Sequence, residues 1–252
     1  MFAPQPFVEP SPRHVRVQLD DVTVADTRRA LLLSWYGPGM LPTYAIPPED
    51  VQVDLLRPST VADGLPHTTR HDVLGDREVP GAAFRFEAPP SPIDAVAGHW
   101  TFAWDTGLAW YEEALEVHVH ARDTRKRVDA VPSDRHVRVE LDGVVLAESR
   151  RPLALFETTL PTRWYLPFED VHTERLVASD TTTRCPYKGT AAYWSAQTGD
   201  TLQRDLAWSY AEPVIECPRI AGLVAFFGER VDLWVDGELV PRPDTPWSQP
   251  EG

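Results

Sequence analysis

Apolar and polar residues alternate along short stretches of this chain, and nearly every stretch ends in a turn signal. Val15–Leu19 reads VRVQL, the period-two pattern of a half-buried strand. Asp20-Asp21 turns it and residues 22–25 return. The same pattern recurs after His136, with Asp142-Gly143 as a two-residue hairpin signal. Residues 31–33 and 153–156 read as buried strands. Residues 43–46 and Arg163–Leu166 read as strands stopped by prolines, and 51–56 and 171–177 as strands again. Residues 190–197 and 202–208 flank Gly199-Asp200 as another hairpin, and 223–227 and 231–235 complete the set. A single short helix is expected over 212–219. No long segment has a 3.6-residue period, so the pattern predicts an all-β protein.

The pattern also repeats. HVRVQLDDVTVADTRRALLL from His14 and HVRVELDGVVLAESRRPLAL from His136 are identical at 12 of 20 positions, at an offset of 122 residues. That period is domain-sized. IPPEDV from Ile46 matches LPFEDV from Leu166. Leu108-Ala109-Trp110 pairs in sequence with Leu206-Ala207-Trp208, and Arg127-Val128-Asp129 with Arg230-Val231-Asp232. The reading is a Pro-rich leader over 1–13, a first repeat over 14–132, a second over 133–240 and a loose tail over 241–252.

Composition narrows the function. A net charge of −14 disfavours a nucleic-acid binder or a protein of anionic membrane surfaces. Two cysteines, Cys185 and Cys217, are too few for a disulfide framework, and no CxxC encodes a structural zinc. The opening MFAPQPFVEPSPRH lacks the apolar core of a secretory signal, and no run of 18 apolar residues is present. A cytoplasmic location is the expectation, and no cofactor is called for.

The densest chemistry is TTTRCPYKGTAAYW, residues 181–194. Pro186 and Gly189 make a turn that holds Cys185 between Arg184 and Lys188, with Tyr187 as a hydroxyl donor. Nearby cations favour the reactive thiolate. Trp194, Trp208 and Tyr210 are candidate pocket walls, or else core aromatics. A nucleophile wants a base, and His172 is the only candidate imidazole near this stretch. Arg151 either pairs with neighbouring Glu148 or holds an anionic ligand group with its forked guanidinium. The adjacent carboxylates Glu169-Asp170 are acid–base candidates that more often cap turns. In the first repeat, Arg70 to Gly75 aligns with Arg184 to Gly189 but has no cysteine, tyrosine or lysine. That repeat has histidines instead. His118 and His120 on a strand would share a face, with His71 as a third metal ligand, although histidines without metal are the commoner case.

CPYKGTAAYW, LPFEDV, LAWSYAEP and IAGLVAFFGERVDLWVDG resemble the bacterial and fungal family known as domain of unknown function 427. The resemblance covers residues 137–237, and the first repeat looks like a diverged copy. It implies a β-tent fold of two antiparallel sheets, shared with methionine sulfoxide reductase B and the thalidomide-binding domain of cereblon. Many β-tents carry a four-cysteine zinc, whose ligands are missing here. A nucleotidyltransferase label is attached to the family, yet this chain has no Gly-rich phosphate loop and no paired metal-binding aspartates. Three readings follow for the second repeat. It is a small-molecule binder taking an anionic ligand at Arg184 and Lys188, an enzyme using Cys185 covalently, or a structural and interaction module.

Overall fold

A computed structural model describes residues 5–248 except 38, 63, 105 and 200; of residue 201 only the backbone is described. The described residues are all-β and form two compact units divided between Asp123 and Thr124. The first unit contains β1 (Phe7–Pro10), β2 (Val15–Leu19), β3 (Val22–Thr27), β4 (Leu31–Ser34), β5 (Thr43–Ala45), β6 (Leu56–Pro58), β7 (Thr68–Leu74), β8 (Glu78–Phe86), β9 (Trp100–Phe102), β10 (Ala109–Glu112) and β11 (Leu115–Val117). The second contains β12 (Val128–Pro132), β13 (Val137–Leu141), β14 (Val144–Ser149), β15 (Leu153–Glu157), β16 (Arg163–Leu166), β17 (Leu176–Cys185), β18 (Gly189–Thr198), β19 (Thr201–Ser209), β20 (Val224–Phe226), β21 (Asp232–Val235) and β22 (Glu238–Val240).

The second eleven strands repeat the first eleven. In the second unit one sheet runs β12-β15-β16-β20-β19-β18-β17 and the other β14-β13-β21-β22. In the first, β1-β4-β5 continues into β9-β8-β7-β6 through Ile46 and Trp100, which exchange backbone hydrogen bonds of 2.7 and 2.8 Å. Its other sheet runs β11-β10-β2-β3. The alternation in VRVQL and VRVEL buries the valines and leucines of β2 and β13 in the cores of their own units. Asp142 and Gly143 take φ of 51° and 77°, the left-handed pair that a tight hairpin needs.

The repeated side chains do repeated work. Thr27 and Ser149 donate to Asp50 and Asp170 at 2.6 and 2.7 Å. Arg29 grips Glu49 and Asp50, and Arg151 grips Glu169 and Asp170. His14 and His136 take Asp26 and Glu148 at 2.6 and 2.7 Å. The acidic pairs are therefore engaged by the chain's own arginines, and Glu148 serves a histidine instead of Arg151.

Register corrects several sequence alignments. β10 pairs with β2 as β21 pairs with β13, so Leu108-Ala109-Trp110 corresponds to Val231-Asp232-Leu233 at the start of β21 and not to Leu206-Ala207-Trp208. Arg127-Val128-Asp129 runs into β12, which pairs with β15, whereas Arg230-Val231-Asp232 runs into β21, which pairs with β13. Gly75 lies in the β7–β8 hairpin, the counterpart of β18–β19; the counterpart of the Cys185–Gly189 turn is the β6–β7 connection, 59–67. The leader holds a strand, because β1 pairs with β4. Residues 212–219 form no helix beyond the three-residue turn Pro218–Ile220. Residues 51–56 and 171–177 each begin with a 3-10 turn before the strand starts.

The tail is also ordered through residue 248. Thr245 donates to Glu229 at 2.7 Å, Arg242 pairs with Asp232 at 2.8 Å, and the Trp247 ring lies 6.5 Å from Phe227. Deleting residues 241–252 should lower stability by about 1–3 kcal/mol, the range for a few part-buried hydrogen bonds. Urea unfolding followed by tryptophan fluorescence measures it, and an unchanged midpoint would show that the tail contributes nothing.

Candidate functional site

β17 ends at Cys185, the chain turns through Pro186 and Tyr187, and β18 starts at Gly189 opposite Cys185. The Lys188 amide closes the turn on the Cys185 carbonyl at 3.3 Å. Thr183 bonds Tyr193 at 2.9 Å, so alternate residues Thr183 and Cys185 share the face that carries Tyr193. Tyr193 is opposite Trp208 on β19, and Trp208 and Tyr210 pack on that face with Tyr165. Trp194 is one residue out of phase and packs into the core on the other face. Of the three expected aromatic walls the structure therefore gathers two, and Tyr193 takes the place of Trp194.

The Lys188 side chain is largely buried and forms an ion pair with Glu157, the last residue of β15. Lys126 reaches the same carboxylate at 3.1 Å. Four strand spacings separate β15 from β18 in the sheet order, about 19 Å if the sheet were flat. The contact requires the sheet to curl until its flanks meet over this face. Burial works against the charge of Glu157, yet Lys188 and Lys126 hold its carboxyl below the usual value. Burial also works against the charge of Lys188, and the neighbouring Cys185 and Glu157 outweigh it, holding the amine above its ordinary value. Both shifts favour the charged pair. Burial drives the phenols of Tyr165 and Tyr210 upward, so both stay protonated, and Trp208 donates to the Tyr165 oxygen at 3.0 Å.

The segment after β19 covers this face. Its Val214 amide donates to the Lys188 carbonyl at 3.1 Å and the Cys217 amide to the Val214 carbonyl at 2.9 Å. Gly189 permits the approach: its φ is +107°, and a Cβ there would meet the Glu212 oxygen at 3.2 Å and Pro213 Cα at 3.3 Å. Cys217 is buried, and burial pushes its thiol up. Arg163 and Glu229 make two 2.6 Å bonds, with the guanidinium over the rings of Trp208, Phe227 and Trp247.

The first unit builds the same cluster in hydrocarbon. Register and the matching 3-10 turns equate Leu33, Trp35, Ala45, Phe86, Ile93 and Val96 with Leu155, Glu157, Tyr165, Tyr210, Cys217 and Ile220. An indole replaces the carboxylate, two apolar side chains replace the phenols and an isoleucine replaces the thiol. Leu65, in the connection equivalent to the cysteine turn, packs against this apolar set.

Other candidates lie apart from the cluster or are already engaged. Arg184 is exposed, and Arg151 is exposed and held by Glu169 and Asp170. His172 is exposed beside Glu174, and the ten residues of β17 separate it from Cys185 by on the order of 25 Å. His118 and His120 flank Val119, whose φ of 79° turns the chain, so they do not share a strand face; His118 is exposed and His120 buried. His71 packs on Trp100 at 4.8 Å. Among the described residues no group of three His, Cys, Asp or Glu side chains is placed to hold a metal. Among the described residues no helix is long and apolar enough to cross a membrane.

Sequence reasoning missed Glu157, Tyr165, Lys126 and the part of Cys217. One signal was present: Leu153, Leu155 and Glu157 are in phase, which places a carboxylate on a buried strand face. Glu157→Gln should cost about 3–5 kcal/mol at neutral pH, because it leaves a buried ammonium without its carboxylate. The depressed carboxyl contributes stability above its ordinary value of 4.5, lost as pH falls through the lower folded value. Urea midpoints of wild type and variant should therefore converge as pH drops below 4.5; a gap constant down to pH 2 would contradict the ion pair.

A family model described as Domain of unknown function (DUF427) matches residues 7–113 and 129–237. No curated protein matches the chain.

Proposed function

Because the chain belongs, in two copies, to the family described as Domain of unknown function (DUF427), we propose that its second unit binds a small anionic molecule at the Cys185–Lys188 turn and that its first unit is a structural copy. The observation that carries this reading is the contrast between the two clusters. Buried ions cost stability unless fully paired, and a hydrocarbon replacement is often as stable. The first unit folds with hydrocarbon at these positions, so folding alone gives no reason to retain a carboxylate, an ammonium, two phenols and a thiol. The single negative charge of Glu157 faces two ammonium groups, a local positive excess that suits an anion. Lys188 is the ligand-facing cation in this reading, while exposed Arg184 serves at the rim.

A second reading has Cys185 as a covalent nucleophile, at the half-buried end of β17 in the same turn as Lys188. Neither His172 nor Glu157 is available as its base, because His172 lies at the far end of β17 and Glu157 is paired with Lys188 and Lys126.

Thermal shift against a panel of phosphorylated and carboxylated metabolites tests the binding reading. At least one should raise the melting temperature, by about 2.7 kcal/mol of added stability at a hundredfold excess over Kd. Lys188→Met should abolish the shift and Cys185→Ser should preserve it. Loss of turnover in Cys185→Ser with binding retained would favour the enzyme reading, and a shift that survives Lys188→Met would exclude this site.

A further inference from the structure

The only two cysteines of the chain belong to the same small assembly. Cys185 is half-buried at the end of β17 and faces the cluster. Cys217 is buried in the covering segment and packs inside it. Three backbone hydrogen bonds run between them in series, from the Lys188 amide to the Cys185 carbonyl, from the Val214 amide to the Lys188 carbonyl, and from the Cys217 amide to the Val214 carbonyl. The antiparallel bridge between Gly189 and Pro213 fixes the two backbones side by side. Lys188, whose ammonium pairs with Glu157, supplies the backbone amide and carbonyl at the middle of this series. In the first unit Cys217 is replaced by Ile93, and the connection over 59–67 contains no cysteine.

We propose that Cys185 and Cys217 are a peroxide-reactive dithiol, in which Cys185 is oxidised first and Cys217 resolves it as an intramolecular disulfide. The inference rests on reading this cluster as the functional site, but it concerns thiol chemistry and requires no bound anion. Cys185 is the more accessible of the two, in the turn that also carries Lys188. The thiolate attacks one oxygen of a hydroperoxide; the S–O bond forms as the O–O bond breaks, and the leaving alkoxide takes a proton to become an alcohol. Cys217 sulfur then attacks Cys185 sulfur. The S–S bond forms as the S–O bond breaks, and the hydroxide leaves as water with the Cys217 proton. Two thiols and one hydroperoxide give one disulfide, one alcohol and one water, and a dithiol reductant reverses the change.

The test treats the full chain with a stoichiometric amount of hydrogen peroxide and follows intact mass and free thiols. Wild type should lose about 2 Da and both thiols, and dithiothreitol should restore them. Cys217→Ser should stop at a sulfenic acid on Cys185 that dimedone traps. Cys185→Ser should leave Cys217 reduced under the same treatment, because that thiol is buried. Lys188→Met should slow oxidation of Cys185 at least tenfold, whereas a purely structural lysine would leave the rate unchanged in protein that stays folded by circular dichroism. Wild type that gains 16 or 32 Da without forming a disulfide overturns the pairing. Equal peroxide rates for Cys185 and for free cysteine overturn the activation. Neither result bears on anion binding, which the thermal shift reads separately.

Discussion

The candidate site of the second unit is built around one ion pair across a curled sheet. Glu157 ends a strand near one flank and Lys188 belongs to a turn at the other, and their contact requires the flanks to converge. The pair survives burial because each group holds the other in its charged form, with Lys126 as a second cation. Everything of chemical interest is near it: the Cys185 turn, the Tyr165 and Tyr210 phenols, and Cys217 on the covering segment. Gly189 makes the arrangement possible by letting that segment run within contact distance of the turn.

The tandem architecture gives the protein an internal control. Both units have the same strand order and the same Thr/Ser–Asp, Arg–acid and His–acid contacts at their edges. These shared contacts define what the fold requires. The two units diverge at the cluster, where Trp35 and Ile93 stand for Glu157 and Cys217. A feature present in one copy and replaced by hydrocarbon in the other is free of the folding constraint that both copies share.

Much of the fold was legible in the sequence, because period-two alternation and a 122-residue repeat are local signals. Asp142-Gly143 announced its hairpin, and the turn at Cys185 was read from Pro186 and Gly189. What failed was long-range register. Trp194 lies one position out of phase with Trp208 across the β18–β19 pairing, which no local pattern reveals. Arg70 and Gly75 mimic the spacing of Arg184 and Gly189, yet Gly75 lies in the β7–β8 hairpin, one hairpin later than the cysteine turn. Glu157 escaped notice because it follows two leucines in a strand that reads as apolar, and its partner is 31 residues away in sequence. The tail reads as loose by its prolines, yet Glu229 and Phe227 give Thr245 and Trp247 partners.

The most direct measurement of the central claim is a mutant cycle in urea with two changes, Glu157→Leu and the joint Lys126→Met/Lys188→Met, and their combination. If the charged cluster is kept for function, each change alone should be destabilising, and the combination should recover to within about 1 kcal/mol of wild type, as hydrocarbon replacements of buried ion pairs do. A combined variant as unstable as the sum of the two changes would contradict the account. It would mean that the ion pair is part of what folds the second unit.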